Sequence, residues 1–336
     1  MLAKEPVAVL LNANARRFSR HVVRQVGRVV PERDIFVSRT PEEARQAARE
    51  VLSRGYPTVC TGGGDGTLMQ FVTSAHELGT GTPDIGVLKL GTGNAIASFI
   101  GAGPIDEDLR KMRAGLAPMR AALPLLAVEG RLCHFAGLGV DAAIINDFHE
   151  TQSRWLSGEM RYLASVVSRS IPRQLTTRRK RPVVRVINRG RPAYRCGPNG
   201  ELLGEPIPAG EVLFEGPMTL VGASTTPFYG YGMRIYPFAG AQPGRVQLRV
   251  ASSGVFEILS KLPALWRGTH RSETIHDSRV DAAELQFSRP APFQIAGDPH
   301  GYRERVMLSV SEHAARLVDL RPPVLLPLGV PAIRAA

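Results

Sequence analysis

A chain of 336 residues, 43% of them hydrophobic, is long enough for one large or two ordinary domains around a sizeable core, which excludes a disordered or fibrous protein. Its 42 Lys and Arg against 30 Asp and Glu leave a formal charge of +12, which favours anionic partners: a nucleotide, a nucleic acid or an acidic membrane surface. Cys60, Cys133 and Cys196 are too few and too far apart for a zinc pattern or a disulfide framework and fit a reducing compartment. The apolar run 7–11 is too short for a signal-peptide core, and the longest uncharged stretch, 90–105, is shorter than a bilayer span. The chain is therefore expected to be cytoplasmic.

In chain order, residues 7–11 read as a buried strand, 19–30 as a helix and 34–37 as a second strand. Thr40 is placed as the N-cap of the next helix, with Pro41 at its first position and Glu43 completing a capping box. That helix is expected to reach about Arg54, where Gly55 ends it. Residues 57–60 form a short strand and 67–77 a helix, followed by a strand at 85–88 and a short helix at 94–100. Strands alternating with helices imply crossover connections and a parallel sheet. After about Leu123 the pattern changes to short β-like runs at 125–128, 134–135, 183–187, 218–221, 246–250, 284–287, 293–295 and 306–310. One long helical stretch, 141–170, interrupts them, and Gly and Pro punctuate the rest. The fold class expected is two-domain α/β + β: a parallel-sheet nucleotide domain over 1–123 and a mainly antiparallel domain over 124–313. The Pro-rich end, 322–331, reads as a docked irregular segment or a disordered one.

The chemistry concentrates in two loops. Gly62, Gly63, Gly64, Asp65, Gly66 and Thr67 lie between a strand and a helix. Glycines let a backbone turn sharply there, and the following helix N-terminus offers amides to an anion. Asp65 is out of place in a loop built only for phosphate, and suits a magnesium ion or a hydrogen-bond network. Gly91, Thr92, Gly93 and Asn94 repeat the strand, Gly turn, helix arrangement one strand later. Two such loops at successive strand ends face one crevice, where open α/β sheets bind ligands. Neither a GxxxxGK[ST] loop nor a GxGxxG loop with its later acid is present, which excludes P-loop and dinucleotide-binding readings.

These loops resemble the signature of the diacylglycerol kinase catalytic-domain family, a GGDGT loop at 63–67 followed by a GTGN loop at 91–94. The likeness extends to residues 135–142, 229–237 and 293–298, and so over roughly 1–318. It implies an α/β nucleotide domain (related also to NAD kinases), a β-sandwich-like second domain, catalysis in the cleft between them, and a chain end, about 314–336, that returns to the first domain. It implies ATP-dependent phosphoryl transfer to a lipid hydroxyl, with diacylglycerol or a related neutral lipid as acceptor. Sphingoid-base or ceramide kinase, NAD kinase and a catalytically impaired nucleotide- or lipid-binding protein are the alternatives. By the same resemblance Asn12, Thr40, Gly62, Gly63, Gly64, Asp65, Gly66, Thr67, Leu68, Gly91, Thr92, Gly93 and Asn94 would hold ATP. Asp65 would hold Mg²⁺ directly or through water, Asp141 would join a polar network at the cleft, and Asp298 would be the general base.

The departures from the family are specific. Its late Asp-Gly-Glu reads Ala296, Gly297 and Asp298 here, so one carboxylate is lost and the other is a methylene shorter. Ala95 follows Asn94 where bacterial diacylglycerol kinases often have Asp, which brings the loop closer to the sphingoid-kinase form. Gln242, Pro243, Gly244 and Arg245 occupy the usual structural-metal segment, so no metal is expected there. Arg169, Arg173, Arg178, Arg179, Lys180 and Arg181 follow an apolar stripe that includes Trp155, Tyr162 and Val166, a pattern suited to the anionic inner membrane surface. No nucleic-acid motif accompanies this charge. His270 and His276 are expected to be ordinary surface or packed residues.

Overall fold

The computed structural model describes residues 5–79, 81–115, 119–143 and 181–321. Strand β1 (Val7–Asn12) pairs in parallel with β2 (Ile35–Ser38) on one side and β3 (Thr58–Gly63) on the other, and β3 pairs in parallel with β4 (Asp84–Lys89). β1 is apolar at five successive positions because both faces of a parallel sheet are covered. Ala8 and Leu10 enter one core layer, and Val7, Val9 and Leu11 enter the other. The first layer lies under helices α2 (Pro41–Ser53) and α3 (Asp65–Glu77). The second lies under α1 (Arg20–Gly27) and under a helix that, after α4 (Ala95–Phe99), forms α5 (Ile105–Arg113).

Local signals set the helix ends. The Ser19 hydroxyl accepts from the Val22 amide at 3.3 Å to start α1. Thr40 Oγ1 accepts from the Glu43 amide at 3.1 Å, as an N-cap does, but Glu43 Oε2 accepts from the Arg39 amide at 2.6 Å, one residue before the Thr40 amide that a capping box would use. A Thr N-cap of this kind contributes about 1 kcal/mol to its helix. Gly55, at φ +69°, ends the same helix with the left-handed residue that Gly accepts without strain.

Beyond α5, strand β5 (Met119–Val128) leads to β6 (Arg131–Cys133) and β7 (Phe135–Gly139). The boundary expected at 123 falls inside β5. The strands β8 (Val183–Asn188), β9 (Ala193–Cys196), β10 (Leu202–Ile207), β11 (Val212–Pro217) and β12 (Leu220–Ser224) follow. After β13 (Val246–Ala251) come helices α6 (Val255–Ser260) and α7 (Leu262–Arg267), then β14 (Ile275–Val280), β15 (Ala282–Ile295) and β16 (Asp298–Asp319). The order across the sheet is β10-β9-β14-β13-β12-β7-β15-β16-β4-β3-β1-β2, with β8 and β11 branching from β15 and β5 and β6 from β16. A core of β7, β8, β12, β13, β15 and β16 side chains, centred on Phe293, Leu285 and Val221, fills the strand-rich part.

β16 joins the two parts. Its first half pairs with β15. It pairs with β5 from Leu308 to Val310 and again, after a register break, from Ala314 to Asp319, and it meets β4 in parallel at Leu317 and Ile85. Leu320 then donates its amide to the Ile100 carbonyl. The chain therefore returns to the nucleotide-type sheet over 314–321; residues 322–336 lie outside the described residues. The helical stretch expected at 141–170 lies outside them beyond residue 143.

Candidate active site

The two glycine loops are fastened to each other by backbone and side-chain contacts. Gly64 is the N-cap of α3, and a Cβ on Gly91 would stand 2.3 Å from the Gly64 Cα, so only glycine permits this approach. Asn94 adopts φ +51°, ψ +41°, a left-handed conformation that Asn tolerates. From there its side chain clips its own loop: Oδ1 accepts from the Gly91 amide at 3.0 Å, and Nδ2 donates to the Gly91 carbonyl at 2.9 Å. Asp65, the first residue of α3, reaches across to α4. Its Oδ2 accepts from the Ala95 amide at 2.9 Å and its Oδ1 from the Ile96 amide at 3.0 Å. A carboxylate at a helix N-terminus satisfies amides that have no partner inside the helix. Asp65 is therefore a clamp between the loops, a role the residue pattern alone left open beside magnesium binding.

The other expected residues divide by what they touch. Asn12, at the end of β1, donates from Nδ2 to Thr67 Oγ1 at 3.2 Å and so fixes the first turn of α3. Thr40 caps α2 at the rim, where Gln70 of α3 donates to the neighbouring Pro41 carbonyl. Gly62 lies within β3, and a Cβ there would strike Leu11 at 2.5 Å. A side chain at Gly63 would strike Thr67. These two glycines serve packing. Leu68 corrects the sequence reading: its side chain is fully buried in the core with Phe71 and Val72, and its amide donates to the Gly64 carbonyl. It presents nothing to a ligand. The first amides of α3, at Asp65 and Gly66, have no acceptor within the helix and lie beside Thr92 and Gly93 of the second loop.

The strand-rich part supplies the opposite wall. Tyr231 donates its amide to the Gly93 carbonyl at 2.8 Å, and Gly230 packs close to Gly93, so the turn at 229–233 leans on the second loop. Asp298 arrives from the tight hairpin between β15 and β16. Ala296 at φ +51° and Gly297 at φ +89° are its two central residues, and Ile295 pairs with Asp298 across it. This rigid turn brings Asp298 Oδ2 to 3.5 Å from where a Gly66 Cβ would be.

Behind that wall lies a buried polar group of residues. Asp141 Oδ2 accepts from Tyr229 Oη and Gln294 Nε2, both at 3.2 Å, while Oδ1 has no partner among the described residues. Burial holds its carboxyl above the usual carboxylate range, and these hydrogen bonds oppose the shift. Gln294 also accepts from the Gly297 amide at 2.9 Å, which ties Asp141 to the hairpin carrying Asp298. His134, buried just before β7, has no hydrogen bond at either ring nitrogen among the described residues. Burial pushes its pKa down, and the Asp65 charge opposes that. The sequence offered no sign of His134, since a lone histidine between two short strands has no pattern to betray it.

Residues 6–119 match the family model described as the diacylglycerol kinase catalytic domain. Among curated proteins, the chain is 25% identical over 264 residues to an Enterobacter protein named "Probable lipid kinase YegS-like", with 76% of each chain covered. It is 24% identical over 261 residues to the Shigella flexneri protein named "Probable lipid kinase YegS", again with 76% of each covered. Among solved structures, it resembles a diacylglycerol kinase from Bacillus anthracis with a TM-score of 0.61 and 14% identity, over 96% of this chain and 99% of that one. At that identity the likeness concerns the fold: a diacylglycerol-kinase-type α/β domain followed by a strand-rich domain. Among the described residues no helix is long and apolar enough to cross a membrane, and no three metal-ligating side chains converge.

Proposed function

We propose that the chain is an ATP-dependent lipid kinase that phosphorylates a lipid hydroxyl, with diacylglycerol or a related neutral lipid as acceptor. The observation that carries this reading is Asp298 standing over Gly66, so that a carboxylate from the second domain meets the phosphate-type loop of the first. The free amides at the start of α3 and the cradle formed by Gly64 and Gly91 fit a polyphosphate. Bound ATP supplies the transferable phosphoryl group, and Mg²⁺ carried with it neutralises phosphate charge. Both Asp65 oxygens already accept amides, so the donor set suits an ion held mainly by the nucleotide's phosphates and water.

The chain's own residues orient and deprotonate. The amides of 65–66 and 92–93 hold phosphate oxygens, Asn12 and Asn94 keep the loops in shape, and Asp298 accepts the proton of the lipid hydroxyl. The two-residue hairpin brings Asp298 to the loop, which offsets its side chain being a methylene shorter than Glu. We place the protein peripherally at the inner membrane surface through Arg178, Arg179 and their basic neighbours. Of that cluster only Arg181 is among the described residues, and its guanidinium donates to the Ser252 carbonyl. Purified protein with labelled ATP, Mg²⁺ and a panel of diacylglycerol, sphingoid base, ceramide and NAD tests the reading. Label is expected in diacylglycerol; transfer to NAD alone, or to no acceptor, would refute it.

A further inference from the structure

The strand-rich domain contains a cavity of about 520 Å³ that the transfer site does not use. It opens between β9, β14 and the turn before β14. In the sheet order β14 lies four strands from β15, about 19 Å at the usual spacing between neighbouring strands. The cavity is thus separate from Asp298, and its volume is that of a small-molecule site.

Its lining is amphipathic in a particular way. Leu203, Leu213 and Ile275 give it an apolar wall, while Arg195 and Arg271 lie at exposed positions of the same lining. Among the described residues neither guanidinium pairs with a carboxylate: Arg195 donates to the Leu213 carbonyl and Arg271 to the Gly268 and His270 carbonyls. Of the two acids in the lining, Asp277 is held by the buried Arg249 through paired hydrogen bonds of 2.8 and 2.7 Å, which leaves Glu273. His270 also lines the cavity, is 6% exposed, and has no hydrogen-bond partner for its ring among the described residues.

We propose that this cavity binds a lipid phosphate monoester, with the acyl chain along Leu203, Leu213 and Ile275 and the phosphate between Arg195, Arg271 and His270. Two guanidiniums match a dianion better than a single carboxylate, and the apolar wall gives free phosphate no reason to prefer the site. The binding claim stands on the cavity alone; that the ligand is also the chain's product class rests on the kinase reading. The cavity connects to the transfer site through Arg249, which donates to the Ile235 carbonyl in the segment whose Tyr231 holds Gly93.

Cys196 provides a local reporter, because it lines the cavity and is half-buried while Cys60 and Cys133 are buried. Burial holds its thiol above the usual value, so alkylation is slow enough to follow in time. The experiment is maleimide labelling of the full chain without nucleotide, with Cys196 read by peptide mass spectrometry. Single-chain lysophosphatidate below its micelle concentration is expected to slow labelling at least about tenfold. Inorganic phosphate and monoacylglycerol at the same concentration are expected to leave it unchanged. The double variant Arg195→Glu, Arg271→Glu should lose the protection, and Arg195→Gln, Arg271→Gln gives the same reading if charge reversal disturbs folding. Protection should persist in Asp298→Asn. The proposal is overturned by absent protection, by equal protection from phosphate or monoacylglycerol, by protection that survives both double variants, or by its loss in Asp298→Asn. Because no nucleotide is present, none of these outcomes depends on turnover.

Discussion

Replacing Asp65 with Asn separates a loop clamp from a metal ligand. In the native chain both carboxylate oxygens accept amides from α4, at 2.9 and 3.0 Å. Asparagine retains one acceptor oxygen and turns an NH₂ donor toward the other amide. One charge-assisted bond survives as a neutral one, and the other becomes an unpaired amide facing a donor. Hydrogen bonds to charged groups contribute about 1.5–3 kcal/mol each, so the net loss is expected near 2 kcal/mol. The assay is urea denaturation of wild type and Asp65→Asn with no nucleotide and no divalent ion present. A fall in midpoint at constant slope is predicted. Asp65→Ala, which leaves both amides unpaired, should fall further. If both variants unfold at the wild-type midpoint without metal and differ only in its presence, Asp65 is a metal ligand and the clamp account is wrong.

Gly91→Ala pushes a Cβ into the Gly64 backbone, which cannot yield as a flexible side chain would. It should weaken ATP binding about tenfold or more while circular dichroism stays native, and unchanged affinity in a calorimetric titration would count against the cradle. Ala296→Asn should raise stability by up to about 1 kcal/mol, since a left-handed conformation costs an alanine about 1–2 kcal/mol and Asn less; a lower thermal midpoint would show that the turn is not strained there. Asp141→Asn tests the buried carboxyl. The fold raises the pKa of Asp141, so its contribution to stability is full below the ordinary carboxylate value and is lost as pH rises through the folded value. The Asn variant, which stays neutral, should therefore match wild type near pH 3.5 and equal or exceed it at pH 8. Destabilisation at pH 8 that vanishes in acid would show that the fold needs the charge.

Much of the nucleotide-type domain was legible because local chemistry and tertiary context agree there. Thr40 caps α2 with Pro41 at its first position as their spacing announced, although Glu43 reaches one residue past the amide of a capping box, and β1 is apolar at successive positions because both its faces are covered. Helix α5 went unread: its apolar positions, Leu109 and Met112, are embedded among charges that pair on the solvent face. β9, β10, β11 and β14 were also missed. β10 is a sheet-edge strand whose residues are exposed from Leu202 to Pro206, so burial imposed no alternation on it. The length of β16 was hidden because Arg303, Glu304, Arg305, Glu312 and His313 break its apolar pattern, although one continuous strand serves both parts of the molecule.

The site was legible in its loops and less so in its connections. Glycine spacing marked the crevice, but that Gly91 touches Gly64, that Asp65 caps α4 and that Tyr231 holds Gly93 are tertiary facts with no sequence period. Leu68 is adjacent to the motif, whereas its position on α3 points its side chain into the core. Asp298 was placed by the resemblance of residues 296–298 to the family's late motif, while the turn of two left-handed residues that sets it beside the first loop has no sequence period.

The account turns on Asp298 receiving the acceptor's proton at a nucleotide loop built by the other domain. The most direct measurement is the rate of labelled-phosphate transfer from ATP to a lipid hydroxyl by wild type and Asp298→Asn, with ATP affinity measured in parallel. General-base contributions are typically 10²–10⁴-fold, so the variant should lose about that factor in rate and bind ATP as wild type does. Equal transfer rates for the two proteins would contradict the account.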